Sequence, residues 1–384
     1  MSATSTDQSF RVADNPASDA LKGVIAHEWL EPHGGAEKVI DQLAIIFPNA
    51  PIRSLWNDAP GRFPASKVSE TWMAKTPLRR HKSLALPFMP ITWRNLGVSD
   101  ADWILCSSHL FAHHARFSGA ARHADKYVYA YTPGRYIWSP ELDARGQSMA
   151  VKMAAMPLRA IDRSRAKEPV AIAAISEFVR TRIADAWRRD SEVIYPPVDV
   201  NAFMDGGFDL NEADQMILDS LPDAFVLGAS RFIPYKRLDL VIKMGVSADV
   251  HVVLAGNGPS LPSLQRQASE HPGMVTFVDR PSHELLAALY RKALAYVFLA
   301  IEDFGIMPVE AMATGAPVIA SNLGGAAETV VDGRSGVLLE DYSPSTMRDA
   351  LDRAVSLKPA ESVSRAQEFD QSVFRQRISA WMPS

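Results

Sequence analysis

Glu302 and Glu310 stand eight positions apart in the stretch "EDFGIMPVE", on either side of a Phe-Gly turn. The apolar run "LAYVFLA" before them reads as a buried strand, and "AMATGAPVIAS" after them as a helix start, a glycine stop and another strand. Open parallel sheets bind ligands outside the carboxyl ends of their strands, so two carboxylates at such an end can grip a polyhydroxylated ligand. Gly305 lets backbone approach that ligand, and Pro308 suits a first helical turn, which would place Glu310 beside unpaired backbone donors. The same letters also allow a plain helix cap at Glu310 and a solvated loop acid at Glu302.

Two cations sit at a matching place. "SRFIPYKRLD" (230–239) follows the apolar run "AFVLGA", which sets Arg231 and Lys236 at the same strand-end level as Glu302. A planar guanidinium fork and a compact ammonium facing a cleft suit a diphosphate; two ordinary surface cations are the alternative. In "GGAE" (34–37), Gly34 and Gly35 join the first strand to its helix and can present amides to a phosphate. "LAGNGP" (254–259) lacks the full dinucleotide fingerprint and has no acidic residue at the expected distance, which leaves a dehydrogenase a distant alternative. "DAD" (100–102) precedes a strand at its amino end and reads as turn chemistry. His113 and His114 are adjacent, without the i, i+4 spacing of two ligands on one helix face, so no metal is expected.

The elements that must position these groups alternate along both halves. "GVIAHEWL", "ADWILCSS", "KYVYAYT", "VAIAAIS" and "SEVIYPPVD" read as strands in the first half, and "AFVLGAS", "DVHVVLAG", "MVTFVD", "LAYVFLA" and "APVIAS" in the second. "AEKVIDQLAIIF", "KRLDLVIKMG", "SLPSLQRQASE" and "SHELLAALYRKA" read as the helices between them. Strand–helix alternation predicts parallel sheets with right-handed crossovers. The Pro-Pro pair of "YPPVDVNAF" cannot continue a helix or a central strand and marks a linker. The fold class is therefore α/β, with two doubly wound, Rossmann-like domains facing across a cleft. Residues 1–20 are expected to be a disordered tail, 21–198 and 199–365 the two domains, and 366–384 a closing helical segment.

At 384 residues, two domains are the natural expectation, and 47% hydrophobic with 22% charged residues is a globular composition. The single cysteine, Cys106, excludes an internal disulfide and fits a reducing, cytoplasmic setting. No apolar run reaches the length of a spanning helix, about 18 or more residues, and no secretory apolar region opens the chain. The net charge of −4 hides an asymmetry: residues 1–190 carry 25 Lys and Arg against 19 Asp and Glu, and residues 191–384 carry 15 against 25. Two differently charged surfaces would suffice for this; a basic half that meets an anionic partner is the sharper reading.

"SRFIPYKRLDLVI", "LAGNGP", "EDFGIMPVEAMATGAPVIAS" and "GGAAETVVDGRSGVLL" occur in the order and spacing of the retaining nucleotide-sugar glycosyltransferases of GT-B fold, and "GGAEKV", "TPGRYIW" and "VIYPPVD" agree in the first half. From about residue 22 onward the chain resembles this Glu-x7-Glu family, and looks most similar to bacterial mannosyltransferases of O-antigen and exopolysaccharide synthesis. The resemblance implies a nucleotide sugar in the C-terminal domain, an acceptor in the N-terminal domain, and a last helix, here "SVFRQRISAWM" (372–382), that crosses back. It implies that Glu310 holds the ribose, that Glu302 and the backbone of Asp303, Phe304, Gly305 and Ile306 hold the sugar hydroxyls, and that Arg231 and Lys236 neutralise the departing diphosphate. Gly34 and Gly35 would add amides, and Tyr131 and Arg135 would contact the acceptor or the sugar; His109, in "SSHLFAHHAR", is a nearby candidate for the same contact, with a structural histidine as the alternative. Many relatives carry His where Tyr131 stands, and Tyr131 can donate a hydrogen bond without titrating near neutrality.

The implied reaction moves a hexose, most simply mannose from GDP-mannose, to an alcohol with retention, without cofactor or metal. Another UDP- or GDP-linked hexose, or a catalytically silent binding homologue, are the alternatives. Residues 72–94, "WMAKTPLRRHKSLALPFMPITWR", mix Lys75, Arg79, Arg80 and Lys82 with bulky apolar side chains. That mixture suits either a peripheral contact with an anionic membrane, fitting a polyprenyl-diphosphate-linked saccharide acceptor, or simple packing under the first domain. No nucleic-acid partner is expected.

Overall fold

In the computed structural model residues 21–138, 149–204 and 209–383 are described, so the expected tail, 1–20, lies outside the described residues. Their strands form two all-parallel sheets of seven and six strands. The first contains β1 (Gly23–His27), β2 (Ile52–Ser54), β3 (Val68–Glu70), β4 (Trp103–Ser108), β5 (Asp125–Ala130), β6 (Ala171–Ala174) and β7 (Glu192–Val193), ordered β3-β2-β1-β4-β5-β6-β7. The second contains β8 (Phe225–Ala229), β9 (His251–Ala255), β10 (Val275–Val278), β11 (Ala295–Phe298), β12 (Val318–Ser321) and β13 (Gly336–Leu339), ordered β10-β9-β8-β11-β12-β13. Sequential order reverses between β1 and β4 and again between β8 and β11, and such reversals open a crevice at the strands' carboxyl ends.

The central strands are buried along their whole length, as covering helices on both faces require; β4, β8 and β11 have no exposed residue. Helix Gly35–Ile46 buries Val39, Ile40 and Leu43, and helix Leu238–Ala248 buries Leu238, Val241, Ile242 and Gly245, both at helical spacing. β2, β3 and β13 are strands that the periodicity of the sequence does not single out. β2 and β3 are three residues each, too short for a pattern, and the edge strand β3 reads Val-Ser-Glu with two exposed residues.

The two sheets' units are joined twice. Val198, beside the Pro-Pro pair, exchanges backbone hydrogen bonds with Phe369 and Gln371, each 3.0 Å. Helix Gln371–Trp381 then lies on the first unit: Phe374 meets Tyr129 edge-on at 5.5 Å, and Arg375 and Gln371 bond the Gln42 amide at 2.6 and 2.8 Å. No described helix is long and apolar enough to cross a membrane.

Candidate active site

Every switch-point strand delivers part of the site. Gly34 and Gly35 follow β1, His109 follows β4, Arg231 and Lys236 follow β8, and the 302–310 segment follows β11. Gly305 adopts φ +96°, a left-handed turn that glycine enters without a Cβ clash, and helix Ile306–Ala313 starts directly after it. The neighbouring loop packs onto this turn through Gly325, whose amide bonds the Glu302 carbonyl at 2.7 Å; a Cβ there would lie 2.4 Å from the Asp303 carbonyl oxygen.

Three carboxylates leave this segment, each toward a different cation. Glu302 pairs with Lys236 of its own unit, whose ammonium also lies 5.3 Å from the centre of the Phe298 ring. Asp303 turns to the first unit, where Arg135 donates from Nε at 3.1 Å and Arg182 from Nη1 at 2.6 Å. Glu310 receives Lys38 Nζ of helix Gly35–Ile46 at 2.7 Å. Glu310 is the fifth residue of its helix, one turn in, and the helix carries no side-chain cap, so the capping alternative and the first-turn placement both give way. The Phe304 side chain is buried beside Tyr195 and Phe369, which leaves only its backbone for a ligand. Arg231 stands exposed past β8 and has no carboxylate within ion-pairing distance among the described residues.

Across the crevice, a Cβ on Gly35 would lie 3.2 Å from Ile306 Cδ1, so the starts of the two helices face each other. Ser176 caps its own helix by accepting from Val179 N–H at 3.0 Å and donates to the Asp303 carbonyl at 2.5 Å. Glu328 accepts from the amides of Glu177 and Phe178, each at 2.7 Å, although burial pushes its pKa up. Tyr131 Oη lies 2.8 Å from Ser107 Oγ and 3.4 Å from the Ala36 carbonyl, holding the glycine loop from below. His109 stands edge-on to Trp29 at 4.6 Å, and burial, with Lys82 nearby, lowers its pKa to about 4. Arg135, expected to meet acceptor or sugar, is instead committed to Asp303.

Sequence reasoning missed Lys38, Ser176, Arg182 and Glu328. Lys38 had a signal, since it is the next letter after "GGAE". Arg182 sits in an unremarkable helix, and only the fold brings it to the cleft.

The histidine pair also acquires a partner. Asp162, fully buried, lies 3.1 Å from Nε2 of both His113 and His114, off the hydrogen-bonding direction for His113. These three ligand atoms lie within 4.8 Å of one another, which a metal ion could use. Both Asp162 oxygens are engaged, however: Trp138 and Trp187 each donate an indole N–H to Oδ2 at 2.7 Å, and His114 bonds Oδ1. Asp100 and Asp102 of the "DAD" stretch engage Lys22, each at 2.8 Å, at the amino edge of the sheet.

Residues 213–371 match the family described as Glycosyl transferases group 1. A D-inositol 3-phosphate glycosyltransferase of Mycolicibacterium smegmatis is 32% identical over 205 residues, covering 50% of this chain and 45% of that protein. Its Mycobacterium tuberculosis counterpart is 34% identical over 183 residues, covering 45% and 37%. The chain thus spans under half the length of these curated relatives. Among solved structures, Anabaena HepE in complex with UDP superposes with a TM-score of 0.69 at 18% identity, covering 94% of this chain and 99% of that one. The lipopolysaccharide outer core galactosyltransferase WaaB superposes with a TM-score of 0.65 at 16% identity, covering 94% and 98%. The match to group 1 glycosyl transferases thus covers residues 213–371, and the fold is that of two Rossmann-like parallel-sheet units of the GT-B type.

Proposed function

We propose that the protein is a retaining glycosyltransferase that takes a hexose from a nucleotide sugar and places it on a saccharide or lipid-linked saccharide. The observation that carries this reading is the convergence, at two facing switch points, of Glu302, Glu310, Arg231 and Lys236 from one side with Gly34 and Gly35 from the other. Glu310 would accept from the ribose diol and Glu302 from the sugar hydroxyls. In the reaction the bond from the anomeric carbon to the diphosphate breaks and the acceptor oxygen bonds to the same face. The acceptor proton passes to the leaving diphosphate. Arg231 and Lys236 stabilise the charge that develops there, so no protein nucleophile is needed and no resident metal is required. Chelator should leave the rate unchanged; loss of activity with chelator and recovery with manganese or magnesium would sink the metal-free mechanism.

GDP-mannose is the donor we favour from likeness in sequence. A UDP-linked hexose is the second reading, favoured by the solved neighbour HepE, whose complexes contain UDP and UDP-glucose. A thermal-shift panel of nucleoside diphosphates separates them, because a ligand of the folded state raises its melting temperature. Failure of every nucleoside diphosphate to shift the transition would overturn the reading of the site.

The acceptor reading adds a peripheral contact with an anionic membrane through residues 72–94. Leu84, Phe88 and Ile91 follow i, i+4, i+7 spacing and stand exposed, at 62%, 46% and 67%, and Trp72, earlier in the same segment, is exposed as well. Met73, Ala85, Met89 and Trp93 pack inside and Leu78 and Leu86 pack partly against the core, so the alternative of simple packing holds for these and not for Leu84, Phe88 and Ile91. Of the four cations, Arg79 is spent on Asp58 and Lys82 on Glu31, which leaves exposed Lys75 and Arg80 to meet lipid phosphate. The protein should sediment with anionic vesicles, not neutral ones, and salt should release it. Equal recovery in the supernatant with both vesicle types at low salt would rule out the contact.

A further inference from the structure

We infer that Lys38 is a donor-binding residue supplied by the first unit, passing from Glu310 to the donor's diphosphate when the ribose takes that carboxylate. The inference rests on the 302–310 segment being the nucleotide-sugar site. Lys38 reaches across the crevice to within 2.7 Å of Glu310 Oε1, yet its own side chain is 46% exposed while that of Glu310 is 8% exposed. The flexible, wet partner is therefore the one that can leave.

A ribose diol gripped by both Glu310 oxygens competes with Lys38 for Oε1, and the exposed ammonium is the partner that yields. The displaced ammonium then turns to water or to another anion of the crevice. Asp303 is held by Arg135 and Arg182, and Glu302 by Lys236, so neither other carboxylate of the segment is available. Glu37, its neighbour on the helix, accepts from the Glu31 amide at 3.0 Å. Asp41, three positions along the same helix, is paired with Arg62 at 2.6 Å, and the diphosphate is the unpaired anion that donor binding brings, bonded to the same ribose that has taken Glu310. It would also lie where the starts of helices Gly35–Ile46 and Ile306–Ala313 face each other, and both helix dipoles favour negative charge there. One lysine thus links recognition of the ribose in one unit to recognition of the phosphates by the other.

The test is Lys38→Met, with Lys38→Arg as the conservative companion, titrated with GDP and with guanosine (UDP and uridine if the panel selects that base). Lys38→Met should weaken GDP binding by at least about tenfold, the scale of a lost hydrogen bond to a charged group, and Lys38→Arg should restore most of it. Guanosine binding should be no weaker in Lys38→Met than in wild type, because Glu310 is then unopposed. Tighter binding of both ligands by Lys38→Met would make Lys38 a mere competitor for Glu310 and overturn the inference. Equal GDP affinity in wild type and Lys38→Met would overturn it as well. Wild-type protein that binds no nucleoside diphosphate would overturn the site reading itself, a separate outcome from a variant that merely matches wild type.

Discussion

Two sets of carboxylates, one in each unit, are held in opposite ways. On the first unit, Glu28 follows β1 fully buried and accepts from the amides of Leu110, Phe111 and Ala112 at 3.0, 2.6 and 2.6 Å. Burial pushes its pKa up and the amides of Ala112 and His109 pull it back, so the carboxylate is tied into the loop after β4. Asp162 is similar, with two indoles and an imidazole around it. On the second unit Glu302, Asp303 and Glu310 each meet only cationic side chains, on flexible stems. A carboxylate held by fixed backbone or indole donors is part of the scaffold. One held by a flexible cation can exchange that cation for a ligand's hydroxyls.

That contrast is broken first by removing a scaffold anion. Asp162→Ala would strand two indole N–H groups and the imidazole in a dry interior and should cost about 3–5 kcal/mol, as when one partner of a buried pair is removed. Chemical denaturation should show the loss as a shift in midpoint without a change in slope. A midpoint within error of wild type would mean that water satisfies the cluster and that Asp162 is not scaffold.

The second unit should behave in the reverse manner, with folding intact and chemistry lost. Arg231→Ala and Lys236→Ala should each lower transfer by at least about a hundredfold, the scale of a removed oxyanion donor, while the melting temperature moves little. Arg231 is the cleaner probe, because it is exposed and its removal strands no partner, whereas Lys236→Ala leaves Glu302 unpaired. Transfer rates like those of wild type in both variants would remove them from the mechanism.

Within the same segment the two glutamates can be told apart. Glu310→Ala should weaken nucleoside diphosphate binding, and Glu302→Ala should mainly slow turnover of the sugar nucleotide, each by about 1.5–3 kcal/mol. Lys38 complicates the first: Glu310→Ala also frees that ammonium, so the loss should be larger for the nucleoside than for its diphosphate. Identical effects of the two substitutions on binding and turnover would merge the two roles.

Much of this was legible in the letters. Long apolar runs interrupted by glycine gave the central strands, and "EDFGIMPVE", "SRFIPYKRLD" and "GGAE" gave the residues that the switch points bring to one crevice. What the letters hid is the pairing across it. Lys38 and Glu310 are 272 positions apart and Arg135 and Asp303 are 168, and no local pattern reports such a contact. Asp162 was hidden for the same reason: it lies 48 positions from His114, and its two indole donors stand on other segments. The segment 72–94 divided between core and surface because its short helical turns face Met89 and Trp93 inward and Leu84, Phe88 and Ile91 outward, which composition alone does not resolve.

The smallest expected effect is also the one that separates the two units by pH. His27 has no exposed surface, and its Nδ1 lies 3.0 Å from Ser107 Oγ; burial and the neighbouring His109 lower its pKa from 6.5 to about 4. The unfolded chain therefore binds a proton at this residue between about pH 6.5 and pH 4 while the folded chain does not. Its contribution is present in full above pH 6.5 and is lost as the pH falls toward 4, by at most about 1.4 kcal/mol per pH unit. Glu28, whose pKa is raised, acts in the opposite sense in acid, since the folded chain takes up its proton before the unfolded one. The total slope therefore mixes the two, and the difference between His27→Gln and wild type is the informative quantity. His27→Gln keeps a hydrogen-bonding group near Ser107 and removes the titration, so its stability should fall less steeply between pH 6.5 and 4.5. Denaturation midpoints for the two proteins that decline in parallel across that range would show that His27 is protonated in the fold, and that the first unit is less dry there than its geometry indicates.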